Sequence, residues 1–70
     1  MNWDQIAGDW KQLKGKVRET WGRLTDDQLD TIAGQRDKLA GSLQDSYGIA
    51  KDEAEKQVND WSSRQSDLDS

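Results

Sequence analysis

Three features of the sequence predict an all-α fold, a small bundle of helical hairpins. Apolar residues recur at three- and four-residue steps along the chain, proline is absent, and one half of the chain repeats the other at an offset of 26 residues. Ile6-Ala7-Gly8 returns as Ile32-Ala33-Gly34, Leu13 matches Leu39, Gly15 matches Gly41, Gly22 matches Gly48 and Asp26 matches Asp52. All six glycines obey this register, three in each half at a spacing of seven. A repeat of this length is a duplicated supersecondary unit that cannot bury its apolar face alone, so the pseudo-repeats at about 6–32 and 32–58 must pack on each other. Two hairpins packed crosswise are the economical arrangement.

Trp3, Ile6, Trp10, Leu13, Val17 and Trp21 fall on one narrow helical stripe and predict a single amphipathic helix. Asn2 or Asp4 can serve its N-terminus, and Gly22 stands where a left-handed residue would end it. Thr25-Asp26-Asp27-Gln28 reads as a capping box that opens a second, shorter helix on Leu29, Ile32 and Ala33. A third helix is expected from about Ala33, with Arg36, Leu39, Ala40, Leu43 and Tyr47 on one side and Gly48 as its stop. The last runs from Lys51 to Ser62 on Ala54, Val58 and Trp61, its positively polarised start occupied by Asp52 and Glu53. Residues 1–62 therefore form one helical domain. The polar, aperiodic residues 63–70 read as a disordered tail.

Seventy residues permit one thin core. Hydrophobic residues make up only 31% of the chain and charged ones 34%, so burial must come largely from the four tryptophans and Tyr47. Cysteine and histidine are absent. That excludes disulfides and thiolate metal sites and removes the commonest general base and imidazole ligand. With no apolar run near 18 residues and no charged leader, no membrane span or signal peptide is expected, and a cytoplasmic location is the default reading. Net charge is −4, unevenly placed: residues 1–24 carry five basic against three acidic groups, residues 25–70 five against eleven. The halves can therefore attract each other.

Two surfaces are candidates for contact. Gly8, Gly15, Gly34 and Gly41 are read as lying inside helices, opposite the apolar stripes. They form either a bare ridge for a partner helix or an inherited repeat that softens the helices, since an internal glycine costs roughly 1 kcal/mol against alanine. Lys11, Lys14 and Arg18 line one flank of the first helix, either as a phosphate-binding face or as a solvated edge of the core. A pI near 4.6 favours the solvated edge and makes nucleic acid a disfavoured partner. Asp26-Asp27 and Asp52-Glu53 lack calcium-loop spacing and are read as helix-start charges. No catalytic, cofactor or metal residues are assigned, and the chain is read as no enzyme, with a monomer favoured.

Trp10-Lys11-Gln12-Leu13-Lys14-Gly15-Lys16-Val17-Arg18-Glu19, Trp21-Gly22-Arg23-Leu24-Thr25-Asp26-Asp27, Leu39-Ala40-Gly41-Ser42-Leu43-Gln44, Tyr47-Gly48 and Asp52-Glu53-Ala54-Glu55-Lys56 resemble the CsbD-like family of small bacterial stress-response proteins. The resemblance covers about residues 2–61. Gln35 and Ser42 depart from it by standing where lysine is common, and Ala50 by standing where a capping hydroxyl is common. The resemblance implies a four-to-five-helix, SAM-domain-like bundle made under general or osmotic stress, with no catalytic residues. The expected function is non-enzymatic, through a protein partner or physical protection. A hydrophilin-like protectant without a partner and a weak nucleic-acid binder through the Lys11/Lys14/Arg18 face are the alternatives.

Overall fold

A computed structural model describes the backbone of residues 3–69 and the side-chain environments through Arg64. It contains five helices: α1 (Trp3–Gly8), α2 (Trp10–Thr20), α3 (Asp26–Ile32), α4 (Arg36–Tyr47) and α5 (Lys51–Asp69). Their radius of gyration is 11.1 Å, close to the roughly 11 Å of a compact chain of this length, so the helices share one core. Helix α4 packs against α3 on one side and α5 on the other. Asn2, a candidate cap, lies outside the described residues.

The stripe expected to form one helix from Trp3 to Trp21 is instead broken at Asp9, which takes φ −103° and ψ 17° and makes no side-chain cap. The break follows from what the two pieces touch. Trp10 on α2 donates its indole N–H to the Leu29 carbonyl at 2.8 Å, while Trp3 on α1 meets Trp61 on α5 with ring centroids 6.4 Å apart. Gly8, read as mid-helix, is the last residue of α1, where its low helix propensity favours an end.

Helix α3 starts as its sequence predicts. The Thr25 hydroxyl accepts from Gln28 N–H and the Gln28 side chain accepts from Thr25 N–H, completing the capping box. It ends differently. Ala33 is an exposed left-handed cap at φ 50°, not an apolar helical residue, and Gly34 follows at φ 78°. The third helix of the sequence reading therefore begins at Arg36, and Gly34 lies outside it. Gly48 ends α4 in the left-handed conformation at φ 64°, as expected. Gly22 does not play that part: Trp21 closes α2 at φ −123°, and Gly22 has no positive φ. Helix α5 continues past Ser62, so the backbone of 63–69, expected as a polar tail, is helical.

The core gathers Ile6, Trp10, Leu13, Val17, Trp21, Leu29, Ile32, Leu39, Ala40, Leu43, Ala54, Val58 and Trp61, and adds Leu24 from the α2–α3 connection. Trp61 stacks obliquely between Trp3 and Trp21, its centroid 6.0 Å from the Trp21 ring. The Trp21 indole N–H donates to Gln57 Oε1 at 3.0 Å, so the rings bury without stranding a donor. Tyr47, counted among the core rings from the sequence, is 37% exposed. Its offset partner in the repeat, Trp21, takes the interior instead.

Candidate functional site

Neither contact surface read from the sequence survives unchanged. On the basic flank of α2, Lys14 pairs with Asp30 at 2.5 Å and Arg18 with Asp26 at 3.0 Å, both acids lying on α3. The hydrogen bond from Lys14 to Asp30 raises the lysine above its ordinary pKa, against partial desolvation and with help from the Asp30 and Asp26 charges. Of the three residues of this flank, Lys11 alone has no ion pair among the described residues. The charge imbalance between the halves is thus spent inside the molecule, binding α2 to α3 beside the buried Trp10–Leu29 hydrogen bond.

The glycines divide. A Cβ on Gly8, Gly15 or Gly41 would meet nothing within 4 Å, so these positions open to solvent. At Gly34 a Cβ would fall 2.5 Å from the Ala7 Cα, because the α3–α4 turn lies directly on α1. Gly34 therefore leaves the ridge and becomes a packing contact, for the reason glycine is used wherever backbones approach closely.

Gly41 borders an open groove of about 470 Å³ between α3 and α4, lined by Thr31, Ile32, Lys38, Gly41, Ser42, Gln44 and Asp45. Lys38, Gly41, Ser42 and Asp45 share one outward stripe of α4 by their spacing, and Thr31 and Ile32 close the groove from the end of α3. The missing side chain at Gly41 gives the groove depth. Its lining offers the hydroxyls of Thr31 and Ser42, the Gln44 amide, one cation and one anion, over the fully buried Ile32.

The carboxylate pairs sit where helix starts place them. Asp26 and Asp27 open α3, Asp52 and Glu53 open α5, Asp26 accepts from Arg18, and Glu53 accepts from Gln57 at 3.2 Å. No group of three or more acidic residues is placed to hold a metal ion among the described residues. No described helix is long and apolar enough to cross a membrane.

The sequence reading missed one cluster. The Arg23 guanidinium lies 5.6 Å from the centre of the Tyr47 ring, the Arg23 N–H donates to the Tyr47 hydroxyl at 3.2 Å, and Arg23 Nη1 donates to the Ser46 carbonyl at 3.4 Å. No local signal marked it, since Arg23 lies in the connection between α2 and α3 and its partners stand at the end of α4.

Comparison with known proteins bears on the whole arrangement. The sequence model of the CsbD-like family matches residues 4–56. The UPF0337 protein YjbJ of Escherichia coli (strain K12) is 56% identical over 64 residues, covering 91% of this chain and 93% of that protein. The UPF0337 protein ECA0631 of Pectobacterium atrosepticum is 56% identical over 61 residues, covering 87% and 88%. The UPF0337 protein NE2439 of Nitrosomonas europaea is 56% identical over 59 residues, covering 84% of this chain and 63% of that protein. A family match over most of the chain, together with two relatives aligned over about nine-tenths of their length, makes this protein a member of the CsbD-like family of small bacterial stress-response proteins.

Proposed function

We propose that this chain is a non-enzymatic, cytoplasmic stress-response protein that acts by contact with a protein partner at the α3–α4 groove. The observation that carries this reading is the difference between the two surfaces. Lys14 and Arg18 are already paired with Asp30 and Asp26, whereas the groove beside Gly41 opens to solvent. The same pairing weighs against nucleic acid, since phosphate contacts at this flank would have to displace two ion pairs. A second reading, physical protection without a specific partner, is supported by a mean hydropathy of −1.15 and a charged fraction of 34%.

Gly41→Leu separates the two. A Cβ at Gly41 meets nothing within 4 Å, so the isobutyl group fills the groove without disturbing the core. The contact reading expects a wild-type melt with loss of partner capture and of protection in stressed cells. Full protection by a well-folded Gly41→Leu protein would instead favour the protectant.

A further inference from the structure

Helix α1 is the shortest helix and is anchored at three residues. Of its six residues only Ile6 is fully buried. Trp3 rests on Trp61, and the Ala7 backbone lies against Gly34. Beyond its contacts with α2 across the joint, α1 is therefore seated on α5 and the α3–α4 turn. The joint is the single residue Asp9, held at φ −103° and ψ 17° with no side-chain cap.

The apolar register runs through that joint without a shift. Trp3, Ile6, Trp10, Leu13 and Val17 keep their three- and four-residue steps across the break. The backbone ladder also runs partly through it, Asp9 N–H donating to the Gln5 carbonyl and Leu13 N–H to the Asp9 carbonyl. The same residues therefore fit two arrangements: the bent one seen here, and a continuous helix from Trp3 to Thr20 in which the carbonyls of Ile6 and Ala7 meet the N–H groups of Trp10 and Lys11. Straightening lifts Trp3, Ile6 and Ala7 from their seat and leaves that seat empty. The segment that fits it, by shape and by chemistry, is another α1.

The geometry points to strap exchange between two copies of this chain. Helix α1 of one copy straightens into α2 and docks on the Trp61–Gly34 seat of a second copy, which returns its own α1 to the first. The result is a closed two-fold dimer. Seat contacts are the same in monomer and dimer, so only the hinge and the protein concentration set the balance. A short tether gives the strap an effective concentration in the millimolar range, so the monomer dominates at micromolar concentration and exchange grows as the protein accumulates. This inference does not depend on the α3–α4 groove or on the function proposed above.

The test uses full-length protein at about 1 mM, the range in which exchange competes with the tether. Copies labelled with 15N and copies labelled with 13C are mixed, warmed and cooled. Isotope-filtered spectra should then show contacts between the Trp3 ring of one copy and the Trp61 ring of another. Asp9→Ala favours the continuous helix by about threefold at each hinge, so sedimentation equilibrium should show a dimerisation constant about tenfold higher for the pair of hinges. Asp9→Gly should lower it. A protein that stays monomeric at this concentration would overturn the inference. So would a dimer without intermolecular Trp3–Trp61 contacts, including one formed through the groove, or a dimerisation constant unmoved by Asp9→Ala.

Discussion

Ile-Ala-Gly occurs at 6–8 and again at 32–34, and the two copies take opposite conformations. The first is the last turn of α1, with Gly8 in an ordinary conformation and open space where a side chain would stand. The second leaves its helix after Ile32, passes through two residues of positive φ and presents Gly34 to the Ala7 backbone. The copies thus touch each other: the alanine of one lies beneath the glycine of the other. Three identical residues therefore do not choose their own geometry. Their neighbours do, Trp10 pulling α2 onto Leu29 in the first case and the close approach of α1 fixing the turn in the second.

The sharpest test of that contrast is at the next aligned pair, Trp10 and Arg36. Trp10 is buried and hydrogen-bonded to α3, whereas Arg36 is half-buried and donates to Asn59 Oδ1 at 3.1 Å. Trp10→Ala is expected to cost about 3 to 5 kcal/mol, comparable with the whole stability of so small a domain, and to leave the chain unfolded by circular dichroism. Arg36→Ala should cost under about 1 kcal/mol, the net value of one hydrogen bond to a side chain at a wet surface. Equal losses at the two positions would mean that the halves contribute alike and that the contrast is wrong.

Next in size is the glycine pair itself. Gly34→Ala combines a left-handed alanine, about 1 to 2 kcal/mol, with an overlap on Ala7 that neither backbone can relieve cheaply, about 1 to 3 kcal/mol more. Gly8→Ala should raise stability by about 0.4 to 1 kcal/mol, since its backbone is helical and its Cβ has room. Urea melts of the two variants should therefore move in opposite directions.

The smallest effect is electrostatic and belongs to the first half alone, because Lys14 is replaced by the buried Ala40 in the second. The folded-state pKa of Lys14 lies above its unfolded value of 10.5, so the stability that comes from charging this lysine is fully present below that value. That contribution is lost as pH rises through the higher folded-state value. Thermal melts between neutral and strongly alkaline pH should show this loss in wild type, and Lys14→Met should reduce the alkaline decline.

Most of the core was legible because helical burial writes a period into the sequence: Leu13, Val17, Leu39, Leu43, Ala54 and Val58 all face inward as their steps require. Thr25 and Gly48 announced their boundaries through local chemistry that needs no tertiary partner. The break at Asp9 was hidden for the opposite reason, since the apolar steps pass through it undisturbed. Leu24 was missed because it lies in a connection, where no period marks a buried residue. Mutual attraction of the halves could be read from their charges, but which acids meet Lys14 and Arg18 depends on how α3 lies along α2. The groove beside Gly41 belongs to two helices at once and has no signature in either.

Trp61 lies between two other indoles, tilted by 40° to Trp3 and by 50° to Trp21. Chromophores this close and this oblique couple their electronic transitions, producing a pair of circular-dichroism bands of opposite sign that overlap the helix signal. Far-ultraviolet ellipticity of this protein therefore mixes backbone with tertiary packing, and a change in the arrangement of these rings alters the apparent helix content even where no turn unwinds. The same coupling provides an optical readout of α1: when the strap leaves its seat, the Trp3–Trp61 contribution disappears while the Trp21–Trp61 contribution remains.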